Sequence, residues 1–208
     1  YNLEASPIAE ARPFRFSGLR YIGMTLECYL LCELENSLVV VDMHAAHERV
    51  NFNVIRNSMS GQQLVSQQLL VPITVPVSED ELAQFEESRA LLEKLGIEAE
   101  PLDNSSLVVR AVPHRFKGMD VVKVVKEVLL EEDLLDGATA AKRKIDSMAA
   151  RLACHASVRS GDAITREEVY ALFQSLDDTE LSAACPHGRP VVVTFEAREV
   201  EAWFGRDR

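Results

Sequence analysis

Residues 21–48, YIGMTLECYLLCELENSLVVVDMHAAHE, contain the change of period that decides the fold. Up to Asp42 the run is rich in apolar and β-branched residues and reads as two strands joined at Glu35-Asn36-Ser37. The second strand is almost wholly apolar, as in a strand buried at the centre of its sheet. From His44 onward, HAAHERVNFNVIRNSM has helical composition and spacing. Asp42 to Glu48 therefore lies where a strand hands over to a helix, and α and β elements share one fold.

Outward from this junction the signals are local. Ser78 and Glu81 form an S-x-x-E capping box, followed by Leu82, Phe85, Leu91, Leu92 and Leu95 before Gly96, which together delimit a helix. IEAEPL and SSLVVRAVP read as strands and MDVVKVVKEVLLEEDLL as a further helix, so residues 73–137 read as a β-α-β-β-α lobe. A long helix is expected from about Thr139 to Arg159, stopping at Ser160-Gly161. Thr165 and Glu168 make a second capping box, and the chain passes through CPHGRP into the strand PVVVTFE and a short last helix. Residues 1–13, rich in Ala, Pro, Glu and Ser, read as a linker tail.

Composition narrows the class. Of 208 residues, 47% are hydrophobic and 26% charged, the balance of a globular chain with a real core. No run approaches the roughly 18 apolar residues that span a bilayer, and YNLEASPIAEARPF lacks the order of a signal peptide, so no membrane partner and a cytoplasmic location are expected. Cys28, Cys32, Cys154 and Cys185 include no CxxC pair, which favours reduced thiols or metal ligands over a disulfide framework. The net charge of -11 repels a phosphate backbone, so a DNA substrate would have to be brought by another molecule.

His44 and Glu48 stand four residues apart, about 6 Å of helical rise, with both side chains on one face. Imidazole and carboxylate suit zinc, manganese or a similar divalent ion. Asp42 can orient a histidine or join from the second rank. In CPHGRP, Cys185 and His187 flank a proline ahead of Gly188, which puts two ligand types on a tight loop. The plain alternatives are a solvated helix face for the first pair, and a buried thiol with a hydrogen-bonded histidine for the second. Cys154 is a further thiolate or core packing; His155 reads as structural and His47 as solvated.

The stretch VVVDMHAAHERV resembles the MutL endonuclease motif, Asp-Gln-His-Ala, two residues, Glu, four residues, Glu: Asp42, His44, Ala45 and Glu48 match. ACHASVRSGD, CPHGRP and the terminal FGR are similar to the remaining blocks of the same C-terminal domain, in the same order. The resemblance implies an α/β (α+β) fold. Its dimerisation lobe is split, with a mixed sheet, and comprises residues 14–72 and 138–208; the smaller inserted lobe, residues 73–137, is external and regulatory. It implies a metal site of His44, Glu48, Cys154, Cys185 and His187, with Asp42, His44 and Glu48 as the catalytic group. It also implies Zn2+ and/or Mn2+ as cofactors and nicking of one strand of duplex DNA. QQLLVP is similar to the pattern by which such domains bind the replication sliding clamp, through Gln67, Leu70 and Pro72; its alternative is an ordinary strand. The partners implied are a second copy of the chain, the sliding clamp, duplex DNA and other mismatch-repair proteins.

Two residues depart from the motif. Met43 replaces its Gln, and Asn53 stands where its last Glu belongs, where an amide supplies no carboxylate charge. Together with the acidic net charge, Asn53 keeps open a second class of function: a non-catalytic dimerisation scaffold with a structural metal site, closed and tetrahedral, instead of an open hydrolytic one.

Overall fold

A computed structural model describes residues 15–61, 63–116, 119–130, 138–156, 164–180, 183–186 and 188–206, with the backbone alone over 138–144. After a 3-10 turn at Phe16–Gly18 the order is β1 (Arg20–Thr25), β2 (Tyr29–Leu34), β3 (Ser37–Asp42), α1 (Met43–Met59), β4 (Ser66–Pro76), α2 (Glu79–Lys94), β5 (Glu98–Asp103) and β6 (Ser106–Pro113). There follow α3 (Val121–Leu129), α4 (Ala138–Ala156), α5 (Arg166–Asp177), β7 (Val192–Glu196) and α6 (Ala197–Trp203). The fold is α+β, and the expected order β-α-β-β-α runs from β4 to α3. Among the described residues no helix is long and apolar enough to cross a membrane.

The chain divides into two compact units, Tyr1–Val50 with Val158–Arg208, and Asn51–Ser157. The inserted unit is thus wider than 73–137, and it takes up about half the chain instead of the smaller part. Its core explains the width: Phe52, Ile55 and Met59 of α1 and Met148 and Leu152 of α4 belong to the same buried cluster as Val75, Phe85, Leu107 and Val125. Burying those side chains removes apolar surface from water whether or not they lie between the turn signals.

In the first unit the sheet order is β1-β2-β3-β7. Two corrections to the sequence reading belong here. The run 21–34 is not one strand but a hairpin, β1 and β2, whose turn places Leu26 (φ 50°) and Glu27 (φ 54°) in the left-handed region, with Cys28 N–H donating to Thr25 O at 3.2 Å. The sheet is also antiparallel throughout, not mixed, because short turns reverse the chain from β1 to β2 and from β2 to β3, and β7 adds antiparallel to β3. One face carries the buried Leu30, Cys32, Val39, Val41 and Val192. Alternation puts Leu31, Leu38, Val40, Val193 and Phe195 on the other, where they stay partly exposed, with Leu31 paired to Val40, Val40 to Val193 and Leu38 to Phe195. Trp203 of α6 meets Phe195 edge-on at 5.3 Å between ring centroids.

In the second unit the order is β4-β6-β5, again antiparallel. Both capping boxes form: Ser78 and Glu81 start α2, and Thr165 and Glu168 start α5 in the first unit. Gly96 ends α2 at φ +73°, and a Cβ there would lie 3.0 Å from the Leu64 carbonyl oxygen. β4 loses its register between Gln68 and Ile73, so Leu69 to Pro72 lie in a bulge. The outer strand β5 carries Pro101 between Glu100 and Leu102.

Candidate functional site

Asp42 closes β3 opposite Tyr29, and its backbone N–H donates to Val191 O at 2.9 Å. Its carboxylate then turns back as the cap of α1: Oδ1 accepts the N–H of Ala45 at 2.9 Å. A short acidic side chain at this position offsets both an orphan donor and the positive end of the helix. The same oxygen accepts from the Cys28 thiol at 3.6 Å. Sequence reasoning took Cys28 only as one of four reduced thiols or metal ligands and did not place it at Asp42, since the turn that brings it there carries no Gly, Asn or Asp signal. Burial, followed by the Asp42 charge, raises the Cys28 pKa. Cys32, in the core of the sheet, is pushed up to about 12 by burial alone.

In the first two turns of α1, His44 is half-buried and Glu48 is 6% exposed. Glu48 is therefore not on a solvated face. Nor is His47, expected in solvent: its Nδ1 is hydrogen-bonded to Met43 O at 2.9 Å, and burial lowers its pKa. Met43 itself is fully buried, so the residue in the motif's Gln position is part of the core. Asn53 is also buried, and it falls in the second unit.

Cys185 is 2% exposed, on a tight loop closed by its own backbone: Cys185 N–H donates to Arg189 O at 2.8 Å and Gly188 N–H to Cys185 O at 2.9 Å, with Gly188 at φ +80°. The loop is tied to α1 by Arg49, whose Nε donates to Ala184 O. The first unit thus brings Asp42, His44, Glu48 and Cys185 onto one strand end, one helix start and one neighbouring loop. Cys154 is exposed on α4 in the second unit, and His187 lies outside the described residues. Among the described residues no three His, Cys, Asp or Glu side chains gather into a metal-holding group. In donor chemistry, imidazole, carboxylate and thiolate together fit zinc, while the carboxylates alone suit manganese.

Of the second motif, Gln67 is exposed on β4, Leu70 is fully exposed at the bulge, and Pro72 is exposed beside it. QQLLVP is therefore part of a strand, but one interrupted where its apolar anchor stands.

The profile of the family described as MutL C terminal dimerisation domain matches residues 22–164. Among relatives, a protein named DNA mismatch repair protein MutL from Geotalea daltonii is 39% identical over 203 residues, covering 98% of this chain and 34% of the relative. Proteins of the same name from Citrifermentans bemidjiense and Syntrophus aciditrophicus are 37% and 34% identical, each over 92% of this chain and 30% and 31% of their own lengths. The chain spans about a third of the length of the relatives it matches. With the strand-to-helix junction at Asp42, the CPHGRP loop and a profile match over most of its length, the chain belongs to the family of MutL C-terminal dimerisation domains.

Proposed function

We propose that this chain is the dimerising C-terminal part of a mismatch-repair protein and carries a metal-dependent endonuclease that nicks one strand of duplex DNA. The carrying observation is the junction itself: Asp42 caps α1, His44 and Glu48 follow within two turns, and the loop bearing the buried Cys185 is bonded to the residue next to Glu48. Carboxylate, imidazole and thiolate together make a mixed donor set that suits a divalent ion such as Zn2+. A bound divalent ion lowers the pKa of water and offsets charge on the scissile phosphate. The chain's own part is to hold the donors: Asp42 orients the first turn of α1, and burial keeps competing water from Glu48 and Cys185.

Supercoiled-plasmid nicking in manganese tests this reading, with Glu48→Ala as the comparison. Nicking by the parent should fall at least about a hundredfold in the variant, with the dimer intact. Equal nicking by both proteins would remove the site from the reaction. The scaffold reading rests on Asn53, a buried amide where the motif has a carboxylate. It predicts bound zinc and no nicking by the parent.

Recruitment is proposed to run through the sliding clamp. A chain of net charge -11 gains little from the DNA backbone, and a clamp encircling the duplex would supply a high effective concentration. The support is the fully exposed Leu70 on the β4 bulge. The homodimer is proposed to form on the outer face of the first unit's sheet, around Val40 and Val193, where apolar side chains stay partly exposed.

A further inference from the structure

We propose that Arg49 is the positioning residue that sets Cys185 against His44 and Glu48; the inference rests on the metal-site reading above. Arg49 is 6% exposed, and a buried guanidinium is tolerated only where its donors are used. Its Nε–H donates to Ala184 O, and that oxygen belongs to the peptide group whose nitrogen is that of Cys185. The N–H of the same peptide group donates to Arg189 O at 2.8 Å. On the other side of Cys185, its carbonyl accepts from Gly188 N–H at 2.9 Å. Because each peptide is planar, holding both neighbours fixes the Cα of Cys185 and the direction of its Cβ, leaving the thiol one rotatable bond.

These bonds have separate roles. The contacts to Arg189 and Gly188 are internal to the loop and set its shape. The Arg49 bond crosses to α1, one residue from Glu48 and five from His44, and so sets where that shape stands relative to those donors. The backbone bond from Asp42 N–H to Val191 O, 2.9 Å, fastens the far end of the loop at the strand but does not reach the Cys185 peptide. Arginine suits the task because its Nε is part of a rigid plane, whereas a lysine ammonium at the end of a flexible stem does not define a direction.

The test uses the 208-residue chain, with Co2+ as the probe for the site. In the parent, cobalt should give a thiolate-to-metal charge-transfer band that Cys185→Ser diminishes. Arg49→Met should bind cobalt about 10- to 100-fold more weakly, the loss typical of removing a group that orients a ligand, and with a weaker band. In the metal-free protein, alkylation followed by mass spectrometry should show Cys185 reacting faster in Arg49→Met, while the equally buried Cys32 reacts at the parent's rate. Parent-like cobalt affinity, band and Cys185 reactivity in the variant would overturn the proposal. Faster reaction at both cysteines would also overturn it, by making Arg49 a support of the whole unit. A parent without a Cys185-dependent band would instead remove the metal reading, and the alkylation contrast would still show whether Arg49 holds the loop. If Arg49→Met does not fold, Arg49→Lys, which keeps the charge and stem, is judged by the same criteria.

Discussion

At the scale of single residues, one side chain often serves the fold and the chemistry together. Asp42 was singled out for a catalytic role, yet its carboxylate also starts α1, so Asp42→Ala would change the helix as well as any ion. The turn at Leu26-Glu27 is a simpler case, because both residues take a left-handed conformation that costs about 1–2 kcal/mol each for an L side chain. Leu26 is 78% exposed, so little packing is lost on replacing it. Leu26→Asn with Glu27→Gly, the pair this turn type favours, should stabilise the first unit by about 1 kcal/mol, measured as a rise in the urea midpoint at unchanged slope. The same turn explains what sequence reasoning missed. Leu-Glu-Cys carries no turn chemistry, so β1 and β2 read as one strand and Cys28 stayed out of sight of Asp42. His44, Glu48 and Cys185 were legible as candidates because imidazole, carboxylate and thiol announce themselves by type. The solvated reading of His47 failed because the covering of its helix face is a tertiary property.

At the scale of elements, legibility follows locality. The end of β3 at Asp42 and both capping boxes are fixed by residues within three or four positions, and each appears where the sequence put it. The reach of α1 and α4 into the core of the second unit depends on side chains far apart in sequence, so the turn signals at 73 and 137 could not mark its limits. β4 combines the two cases. Its pattern reads as a strand, but the bulge from Gln68 to Ile73 frees Leu70 from any cross-strand neighbour. Gln67→Ala with Leu70→Ala removes an exposed amide and an exposed apolar anchor and should leave folding unchanged. Clamp affinity in calorimetry should drop by at least about 1.5 kcal/mol, or roughly tenfold, the worth of burying one leucine. Unaltered affinity in the folded double variant would leave QQLLVP as a strand and nothing more.

At the scale of the whole molecule, the two units differ in the surface they offer. The first leaves Leu31, Val40, Val193 and Phe195 partly exposed on one sheet face. If that face is the dimer interface, Val40→Lys places an unpaired charge at its centre. The dimer should weaken by about 2–3 kcal/mol, roughly 30- to 150-fold in Kd. Sedimentation velocity should then show monomer at concentrations where the parent is dimeric, with the far-ultraviolet circular dichroism of a folded chain. A dimer that persists would move the interface to another surface.

The second unit treats β5, one of its two outer strands, differently. Pro101 removes one amide donor from β5, while the Glu98 carboxylate accepts from Gln68 and that of Glu100 from Arg110, so acidic groups line its face. Two such edges brought together would set carboxylate against carboxylate around a missing hydrogen bond. This edge therefore resists growing ribbon on ribbon, so that pairing through the first unit's sheet face need not bring a second, fibrous contact through β5.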